Sequence, residues 1–569
     1  MIQYLIAFCI LRLSRILQKE EEGAVRRSPW PFLAAIAAVA LIVGAAFLLF
    51  EKASTNSREM DRNSYYGLTA DDEAALVVND TLLDSHGIVR DGRVYIDYPT
   101  AWKYFNRSFY WEATTRQMLL TLPDGTHHWT LGDEDLIEID GTPYLSASCI
   151  RENSDIDMDI LKEPHRVVAR TVWSNVAAER ILEDTVVRNR ADRKGEILTH
   201  VKAGDIVVLV ETAGTWSKVS SADGFIGYIQ KSEYEPAPEG SISHTTDQRF
   251  IYDHIFSDKP VCLAWQYMER LDDKEMQSLV AYASCLNTIS PTWFRFTSNQ
   301  GDIESLATKE YVELAHAKGI KVWGCLQDVY GSTFDIGEIL ATYESRGHVI
   351  DQLLKAAETG MDGINIDIET IEEAEAPQYL QFLRELCVAA HEKGLTVSTD
   401  TYMPVYTAYY NRREQAKSVD YIILMGYDEH TAGSSEAGSV ASLPFVEQGI
   451  RDALNEVPAQ QLINGIPFYT RGWTTVYGEE RPQSQAFGMN DADEWAEAHN
   501  ISLHWDSEVG QNMGSSESQS ARYSIWMEDE KSIEEKMKLI DRYDLAGVAC
   551  WRLGFERKGI WDVLAKYLS

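Results

Sequence analysis

The 569-residue sequence predicts an α/β protein whose C-terminal half is a (β/α)8 TIM barrel. From about residue 255, short apolar runs rich in β-branched residues alternate with amphipathic helical segments. Several of these segments end at a glycine directly before the next run, as at Gly319, Gly360 and Gly394, and glycine there commonly ends a helix. Eight such units in about 310 residues favour a closed barrel over an open sheet. The predicted strands are 260–266, 292–297, 320–326, 363–369, 395–400, 420–427, 461–467 and 546–552.

The N-terminal region contains an uncharged apolar run, residues 31–50, that is long enough to span a bilayer. Because Arg26 and Arg27 precede the run, the positive-inside rule places residues 1–30 in the cytoplasm and everything after the run outside. We therefore predict a single-pass membrane anchor followed by a polar tether at 51–70. A cleaved signal peptide is the alternative, although the apolar run is long for one.

Residues 71–180 are predicted to form an α+β module. The Asp-Gly pair at 91–92 supplies a hairpin turn signal between two short β-type runs. The order of a strand, a short helix and the run "FYWEATTRQMLLTL" resembles the copper-amine-oxidase-N-like stalk modules of bacterial envelope proteins, over about residues 76–130. This resemblance implies a spacer without a metal role, and His127-His128 is predicted to lie in a turn beside a strand.

Residues 184–235 are predicted to form a small β-barrel, since turns that contain glycine separate several short strands. The run "TWSKV…DGFIGYI" resembles bacterial SH3-like domains, many of which bind cell-wall material. Trp216 and Tyr228 either line a ligand groove or fill the small barrel, and the second role is favoured. A linker is predicted at 236–250.

Composition excludes some classes of partner and site. The formal net charge of −36 argues against a nucleic-acid partner, because phosphates would be repelled. The seven cysteines are odd in number and lack the spacing of metal ligands, so neither a disulfide framework nor a metal site is predicted. Buried free thiols are expected at the cysteines in strongly apolar runs, Cys262, Cys325, Cys387 and Cys550.

The stretch "MDGINIDIET", residues 361–370, places polar side chains where a strand should bury aliphatic ones. Asn365, Asp367 and Glu369 alternate with isoleucines and therefore share one face of the predicted fourth strand. Because active sites of this barrel lie at the C-terminal ends of the strands, the two acids are candidates for catalysis. Asp362 precedes that face and is expected to support the barrel by hydrogen bonding.

The segment "DGINIDIE" resembles the DGxDxDxE signature of glycoside hydrolase family 18, the chitinase-like enzymes. With asparagine at the middle acidic position, it is similar to the spore-germination and cortex-lytic branch of that family. The segments "LMGYDEH" (424–430), "GIPFYTRGW" (465–473) and one ending in "CWRLGFE" (524–556) follow in the family's order. The resemblance covers about residues 255–569.

The resemblance implies a role for each residue. Glu369 would be the general acid and later the general base, and Asp367 would share a proton with it and orient the substrate's acetamido N–H. The acetamido oxygen itself would attack the anomeric carbon, with Tyr427 bonded to its carbonyl and Trp551 as the apolar floor. No metal or organic cofactor is implied. Further substrate-binding candidates are Asp428, Tyr469, Met425, Asn365 and Arg471.

Two of these candidates carry expectations of their own. The Asn365 amide is expected to donate a hydrogen bond to Asp367, which would lower the pKa of that carboxyl. Arg471 is expected to contact either the ligand or a neighbouring carboxylate. The asparagine also weakens the inference to chitin as the substrate.

The acetamido requirement restricts the substrate to chitin, peptidoglycan glycan or an N-glycan core. The predicted anchor, stalk-like module and SH3-like domain favour peptidoglycan, and hence a membrane-anchored, extracytoplasmic N-acetylglucosaminidase held to the cell wall by its SH3-like domain. The alternatives are a chitinase or endo-N-acetylglucosaminidase on another glycan, and a non-catalytic, chitolectin-like wall-binding protein. Retention of Glu369 argues against the last.

Overall fold

The computed structural model describes residues 36–40, 42–44, 55–270, 273–328 and 333–568, which divide into two compact units. Unit 1 holds the described residues up to 69, together with 80–82 and 173–243. Unit 2 holds 70–79, 83–172 and the described residues from 244 onward.

The predicted membrane helix, 31–50, is described only at 36–40 and 42–44, where the chain is helical and exposed. The rest of that prediction, like the N-terminal segment before it, lies outside the described residues. Within the described part of the chain, no helix combines the length and the apolar character that crossing a bilayer requires.

Unit 1 is a small β-domain. Its buried centre is built from Val187, Val219, Phe225 and Ile229, whereas Trp216 and Tyr228 are only half-buried, so the core-filling role expected of that pair is taken by smaller side chains. Its hydrogen-bonded strands run in the order Ile197–Val201, Thr185–Arg188, Ile226–Gln230, Trp216–Ser220, Ile206–Ala213, Ala178–Ile181 and Tyr234–Pro236. Its other elements are the strand Thr81–Leu82, the helix Arg62–Tyr66 and the 3-10 turn Lys231–Glu233.

The described part of the predicted tether is folded onto this β-domain. Met60 N donates to the carbonyl of Ile197 at 2.8 Å, and the rings of Tyr65 and Tyr66 lie 5.2 and 5.1 Å from that of Phe225. The prediction of a free polar tether is therefore wrong over these residues, because two tyrosines in an otherwise polar stretch bury their rings against the domain.

The N-terminal part of unit 2 is the predicted α+β module. One sheet has the strand order Asp157–Leu161, Arg166–Arg170, Glu73–Val78, Gly87–Arg90, Arg93–Asp97, Thr142–Ser146 and Leu136–Ile139. A second sheet contains Phe109–Glu112, Gln117–Leu122 and Gly125–Thr130, and the helices are Tyr98–Tyr104 and Ala147–Glu152. His127 and His128 lie within a strand and not in a turn, because the turn falls just before them. Among the described residues, no cluster of three or more His, Cys, Asp or Glu side chains is arranged to hold a metal.

This module packs directly against the barrel and does not stand away from it as a spacer. The guanidinium of Arg346 is fully buried between Glu112 of the module and Glu385 of the barrel, at 3.0 and 2.8 Å. Gln381 Nε2 also donates to Thr121 Oγ1 at 2.8 Å. A buried charge needs paired partners, so these contacts fix the module to two barrel helices.

The barrel closes as predicted. Its eight parallel strands are β1 (Val261–Gln266), β2 (Thr288–Pro291), β3 (Lys321–Asp328), β4 (Gly363–Ile368), β5 (Thr396–Thr401), β6 (Tyr421–Met425), β7 (Leu462–Pro467) and β8 (Gly547–Trp551). Each pairs with the next, and β8 pairs back with β1. The second strand begins earlier than predicted, and the predicted range instead covers the hairpin strand Phe294–Phe296, which pairs with Ile303–Ser305.

Helices surround the strands. The three capping glycines adopt positive φ of 75°, 94° and 71°, as the sequence predicts. The helices are Asp273–Leu279, Lys309–His316, Ile336–Ile339, Tyr343–Ala356, Ala376–His391, Arg412–Gln415, Leu443–Leu454, Glu530–Arg542 and Ile560–Ala565. The main core lies between strands and helices, and Cys262, Cys387 and Cys550 are free thiols within it. Cys325 on β3 is also a free, buried thiol, as predicted, but it lies outside that core.

An antiparallel sheet is inserted between β7 and β8. It contains Tyr469–Val476, Gln483–Gly488, His504–Asp506, Gln511–Glu517 and Ala521–Met527, with the helix Met489–Ala498 against it. Because the first strand begins two residues after β7 ends, the insertion rises at the C-terminal end of the barrel, beside the predicted active site.

Candidate active site

The polar face of β4 has a counterpart on β5. In the parallel ladder Asn365 is the register partner of Ser398, and Ile366 that of Thr399. One further step sets Asp367 beside Asp400, and two more set Glu369 beside Tyr402. Since side chains two apart on a strand share a face, both rows point into the barrel.

Asn365 lies at the base of this ladder and is fully buried. Its side-chain oxygen accepts from Trp265 Nε1 at 2.9 Å and from Ser290 Oγ at 3.0 Å. Its amide donates to Ser398 Oγ at 3.1 Å and to Asp400 Oδ1 at 2.8 Å. The expected bond from Asn365 to Asp367 is therefore wrong, because both amide protons are used on β5.

Asp367 is buried one level above, with 4% of its surface exposed. Its Oδ1 has no hydrogen-bond partner among the described residues. Burial, reinforced by the charges of Glu369, Asp400 and Asp328, raises the pKa of this carboxyl well above its ordinary value. Asp367 therefore ionises less readily than an exposed aspartate.

Glu369 follows the end of β4 and is half-buried at the mouth. Its backbone N–H donates to the carbonyl of Asp328 at 2.8 Å, which fixes the chain as it leaves the strand. The hydroxyl of Tyr402 donates to its Oε2. Burial raises the pKa of Glu369, and the Tyr402 bond opposes that rise only in part.

Tyr427, Asp428 and Tyr469, which follow β6 and β7 in the chain, form another part of the wall of the site. Tyr427 and Tyr469 are buried, with ring centroids 6.2 Å apart at 77°. The Tyr469 hydroxyl donates to Asp428 Oδ1. Burial raises the pKa of Asp428, which this bond and the nearby charge of Arg471 partly counter.

These side chains surround a cavity of about 150 Å3 at the C-terminal end of the barrel. Trp551 is half-buried on its floor, with its ring 5.9 Å from that of Trp265. The lining residues are Trp265, Asp367, Glu369, Asp400, Tyr402, Met425, Tyr427, Asp428, Tyr469 and Trp551.

All but two of the site residues singled out from the sequence line this cavity. Asn365 lies beneath it, and Arg471 stands behind Asp428, where its Nη1 donates to Ser484 Oγ at 3.1 Å. The charge of Arg471 lowers the pKa of Asp428, but its hydrogen bond goes to Ser484, so the expected contact with the ligand or with a carboxylate stays a prediction. Asp362 lies at the other end of β4, where it accepts from Val322 N and contacts His316 Nε2, both at 2.8 Å, as expected of a supporting residue.

Sequence reasoning missed three lining residues, Trp265, Asp400 and Tyr402. A signal for two of them was present in "TVSTDTY" (396–402), where serine, aspartate and tyrosine alternate with threonines as the polar residues of β4 alternate with isoleucines. Threonine is polar yet β-branched, so the contrast between the two faces of β5 was weak.

Comparisons with known proteins agree with this geometry. Residues 328–556 match the family model "Glycosyl hydrolases family 18", and 183–235 match "Bacterial SH3 domain". The chain is 24% identical over 315 residues to the uncharacterized glycosylase YvbX of Bacillus subtilis (strain 168), covering 52% of this chain and 88% of that protein. It is 26% identical over 242 residues to the cortical fragment-lytic enzyme of the same organism, covering 41% of this chain and 56% of the relative.

Among solved structures, the Bacillus cereus spore cortex-lytic enzyme SleL matches with a TM-score of 0.50 at 17% identity. The match covers 64% of this chain and 89% of that structure. At that identity the similarity shows a shared fold.

Proposed function

We propose that this glycoside hydrolase, whose barrel carries a family 18 domain, cleaves the glycan strands of peptidoglycan on the reducing side of N-acetylglucosamine. One observation carries the proposal. Two carboxyls with raised pKa, Asp367 and Glu369, lie side by side in a cavity floored by Trp551. A carboxyl kept protonated near neutral pH can deliver the proton that a glycosidic leaving group requires.

Glu369 is the general acid in this proposal. It transfers its proton to the glycosidic oxygen as the bond from that oxygen to the anomeric carbon breaks. The substrate's acetamido oxygen forms a new bond to the same carbon from the opposite face, which closes a five-membered ring. Water, deprotonated by Glu369, then opens this ring, so two inversions give net retention.

Asp367 and Tyr427 hold the acetamido group during attack. The Asp367 carboxylate accepts from the acetamido N–H, which increases the nucleophilicity of the oxygen, and the Tyr427 hydroxyl orients that oxygen. Oδ1 of Asp367 has no hydrogen-bond partner among the described residues, so this carboxylate keeps acceptor capacity that a donor on the substrate can use. Trp551 supplies an apolar floor for the sugar ring.

Peptidoglycan is the proposed substrate because three features agree. One relative is named a cortical fragment-lytic enzyme, a bacterial SH3 domain precedes the barrel, and an apolar run lies near the N-terminus. We place the catalytic domain outside the cytoplasm, tethered through residues 31–50 and held to the wall by the SH3-like domain. Chitin or another N-acetylglucosamine glycan is the alternative substrate.

The direct test is digestion by the full-length chain. Purified peptidoglycan and chitin oligomers are incubated separately with the enzyme, and the new reducing ends are identified by mass spectrometry. We expect new N-acetylglucosamine ends from peptidoglycan. Ends at the other sugar would overturn the proposed bond, and cleavage of chitin alone would overturn the proposed substrate.

A second test addresses the nucleophile. A thiazoline analogue of N-acetylglucosamine mimics the ring formed by the acetamido group, and sites complementary to intermediate-like states bind such mimics more tightly than substrate. We expect competitive inhibition in steady-state kinetics. Efficient cleavage of a substrate without the acetamido group would contradict this route.

A further inference from the structure

Four carboxyls line the described cavity, and three of them, Asp367, Glu369 and Asp400, come from the ends of β4 and β5. The β4–β5 register, continued by one residue, sets Asp367 beside Asp400 on strands whose backbones lie about 4.8 Å apart. Both are buried, with 4% and 2% of their surfaces exposed. Carboxylates this close and this dry cannot all be ionised together.

The hydrogen bonds of Asp400 leave one of its oxygens unsatisfied. Oδ1 accepts from Asn365 Nδ2 at 2.8 Å, while Oδ2 has no partner in the described part of the chain. Asp367 Oδ1, on the neighbouring strand, is also buried and unpartnered. Two orphaned acceptors side by side become a donor and an acceptor when one proton is added.

The surroundings of Asp400 supply further acids and no cation. Within the described residues, no Lys, Arg or His nitrogen lies within 4 Å of its carboxylate. The titratable groups that interact electrostatically with Asp400 are Asp367, Glu369, Tyr379, Tyr427 and Cys325. Three further groups, Asp328, Asp428 and Tyr402, shift the pKa of Asp367 or of Glu369. Burial raises the pKa of Asp400, and the charge of Glu369 adds to that rise, whereas the Asn365 bond and the nearby indole N–H of Trp265 lower it.

We propose that Asp400 is a positioning residue that stays protonated and donates a hydrogen bond to Asp367. The donor therefore comes from β5 and does not belong to the motif on β4 that carries Asp367 and Glu369. The asparagine at 365 cannot hold an exchangeable acid proton, but its amide orients Asp400. The amide and the protonated acid therefore lie on neighbouring strands, Asn365 on β4 and Asp400 on β5.

The consequence for the reaction is electrostatic. The neutral Asp400 stabilises ionised Asp367, which must accept from the acetamido N–H while Glu369 is still protonated. Asp400 keeps its proton throughout, and the transferred proton leaves Glu369 and returns to it from water. This inference rests on the proposed function, because the roles of Asp367 and Glu369 in the reaction come from it.

The first experiment compares kcat/KM against pH for the wild type and Asp400→Asn. The amide still donates to Asp367, so the loss at the pH optimum should stay below about 10-fold, whereas Asp400→Leu should cost about 10²-fold, within the range of proton-transfer groups. Because Asn is neutral, like the protonated Asp400, Glu369 meets the same charge in both proteins, and the alkaline limb set by Glu369 should stay in place. A downward move of that limb in Asp400→Asn would mean that Asp400 is ionised in the wild type, and would overturn the proposal.

Ser398→Ala is the matched control. It removes another partner of Asn365 on the same face of β5 and leaves the donor at position 400 in place, so kcat/KM at the optimum should fall far less than in Asp400→Leu. A loss in Ser398→Ala equal to that in Asp400→Leu would show that packing around Asn365 causes the loss and would overturn the proposal.

The second experiment exchanges acid and amide across the ladder. In the double variant Asn365→Asp/Asp400→Asn every contact of position 365 can be kept, since the carboxylate still accepts from Trp265 and Ser290. The amide at position 400 can still donate to Asp367, so we expect the loss in kcat/KM at the pH optimum to stay close to that of Asp400→Asn. A loss as large as that of Asp400→Leu would contradict the assigned role.

A spectroscopic readout separates this inference from the proposed function. Difference infrared spectroscopy of protonated carboxyls against pH should show one fewer buried protonated carboxyl at neutral pH in Asp400→Asn than in the wild type. This loss would support the proposal even if no glycan tested were cleaved, an outcome that would overturn only the proposed function. An unchanged signal would mean that Asp400 is ionised, and would overturn the inference.

Discussion

Glu369 combines partial burial, a raised pKa and a bond from Tyr402 with a place on the cavity wall. We expect Glu369→Gln to lower turnover by about 10²–10⁴-fold, because glutamine keeps the shape and cannot deliver a proton. Substrate binding, measured by calorimetry, should change little. Glu372→Gln, at an exposed acid just beyond the strand, is the control. Near wild-type turnover in Glu369→Gln would remove this residue from the mechanism.

The burial of Asp367 also has a cost in stability. Its folded pKa is raised above the ordinary value of 3.8, so at pH values between the two the unfolded chain binds fewer protons and stability falls as pH rises. Asp367→Asn removes the buried ionisable group. It should raise the melting temperature relative to wild type, and by more at pH 8 than at pH 5 in thermal scans at both values.

The exposed Glu392 provides the comparison for that measurement. Glu392→Gln should leave the difference between the two pH values unchanged. A stabilisation of Asp367→Asn that is equal at both pH values would mean that packing, and not ionisation, is responsible.

At the scale of elements, the docking of the N-terminal module depends on a buried charge. Arg346 is fully buried and paired with acids on both sides of the contact. Arg346→Met would leave Glu112 and Glu385 without a counter-charge, so we expect a loss of about 3–5 kcal/mol in the free energy of unfolding. Urea titration followed by tryptophan fluorescence would measure it.

An exposed ion pair on the same barrel is the natural control. Arg451 pairs with Glu447 across one helical turn, with 59% of its side chain exposed. Arg451→Met should cost no more than about 1 kcal/mol. Equal losses in the two variants would show that the module is held by apolar contacts instead.

For the molecule as a whole, the proposal that residues 31–50 anchor the chain in a membrane predicts its orientation from the flanking charges. We expect a reporter that is active only after export to work when fused after Ser569 and to fail at the N-terminus. A reporter active only in the cytoplasm, fused at the same two points, should give the reciprocal result. The reversed pair of results would overturn the proposed orientation.

Features that depend on local pattern can be predicted from the sequence alone. A helix that ends at Gly319, Gly360 or Gly394 and a strand that starts beyond it are properties of neighbouring residues, and they sufficed for the barrel. The period of two along β4 likewise placed Asp367 and Glu369 on one inward face.

The neighbours of those residues on other strands, in contrast, depend on how the chain folds in three dimensions. The partner of Asn365 is Asp400 and not Asp367, because hydrogen bonding follows the register of two strands that are more than 30 residues apart in sequence. The contact between the N-terminal module and the barrel could not be predicted either, because Glu112 and Arg346 are far apart in sequence and pair only in the folded chain. Periodicity shows which face a side chain is on, whereas the arrangement of strands and helices determines its neighbours, and those neighbours set the charge of the site.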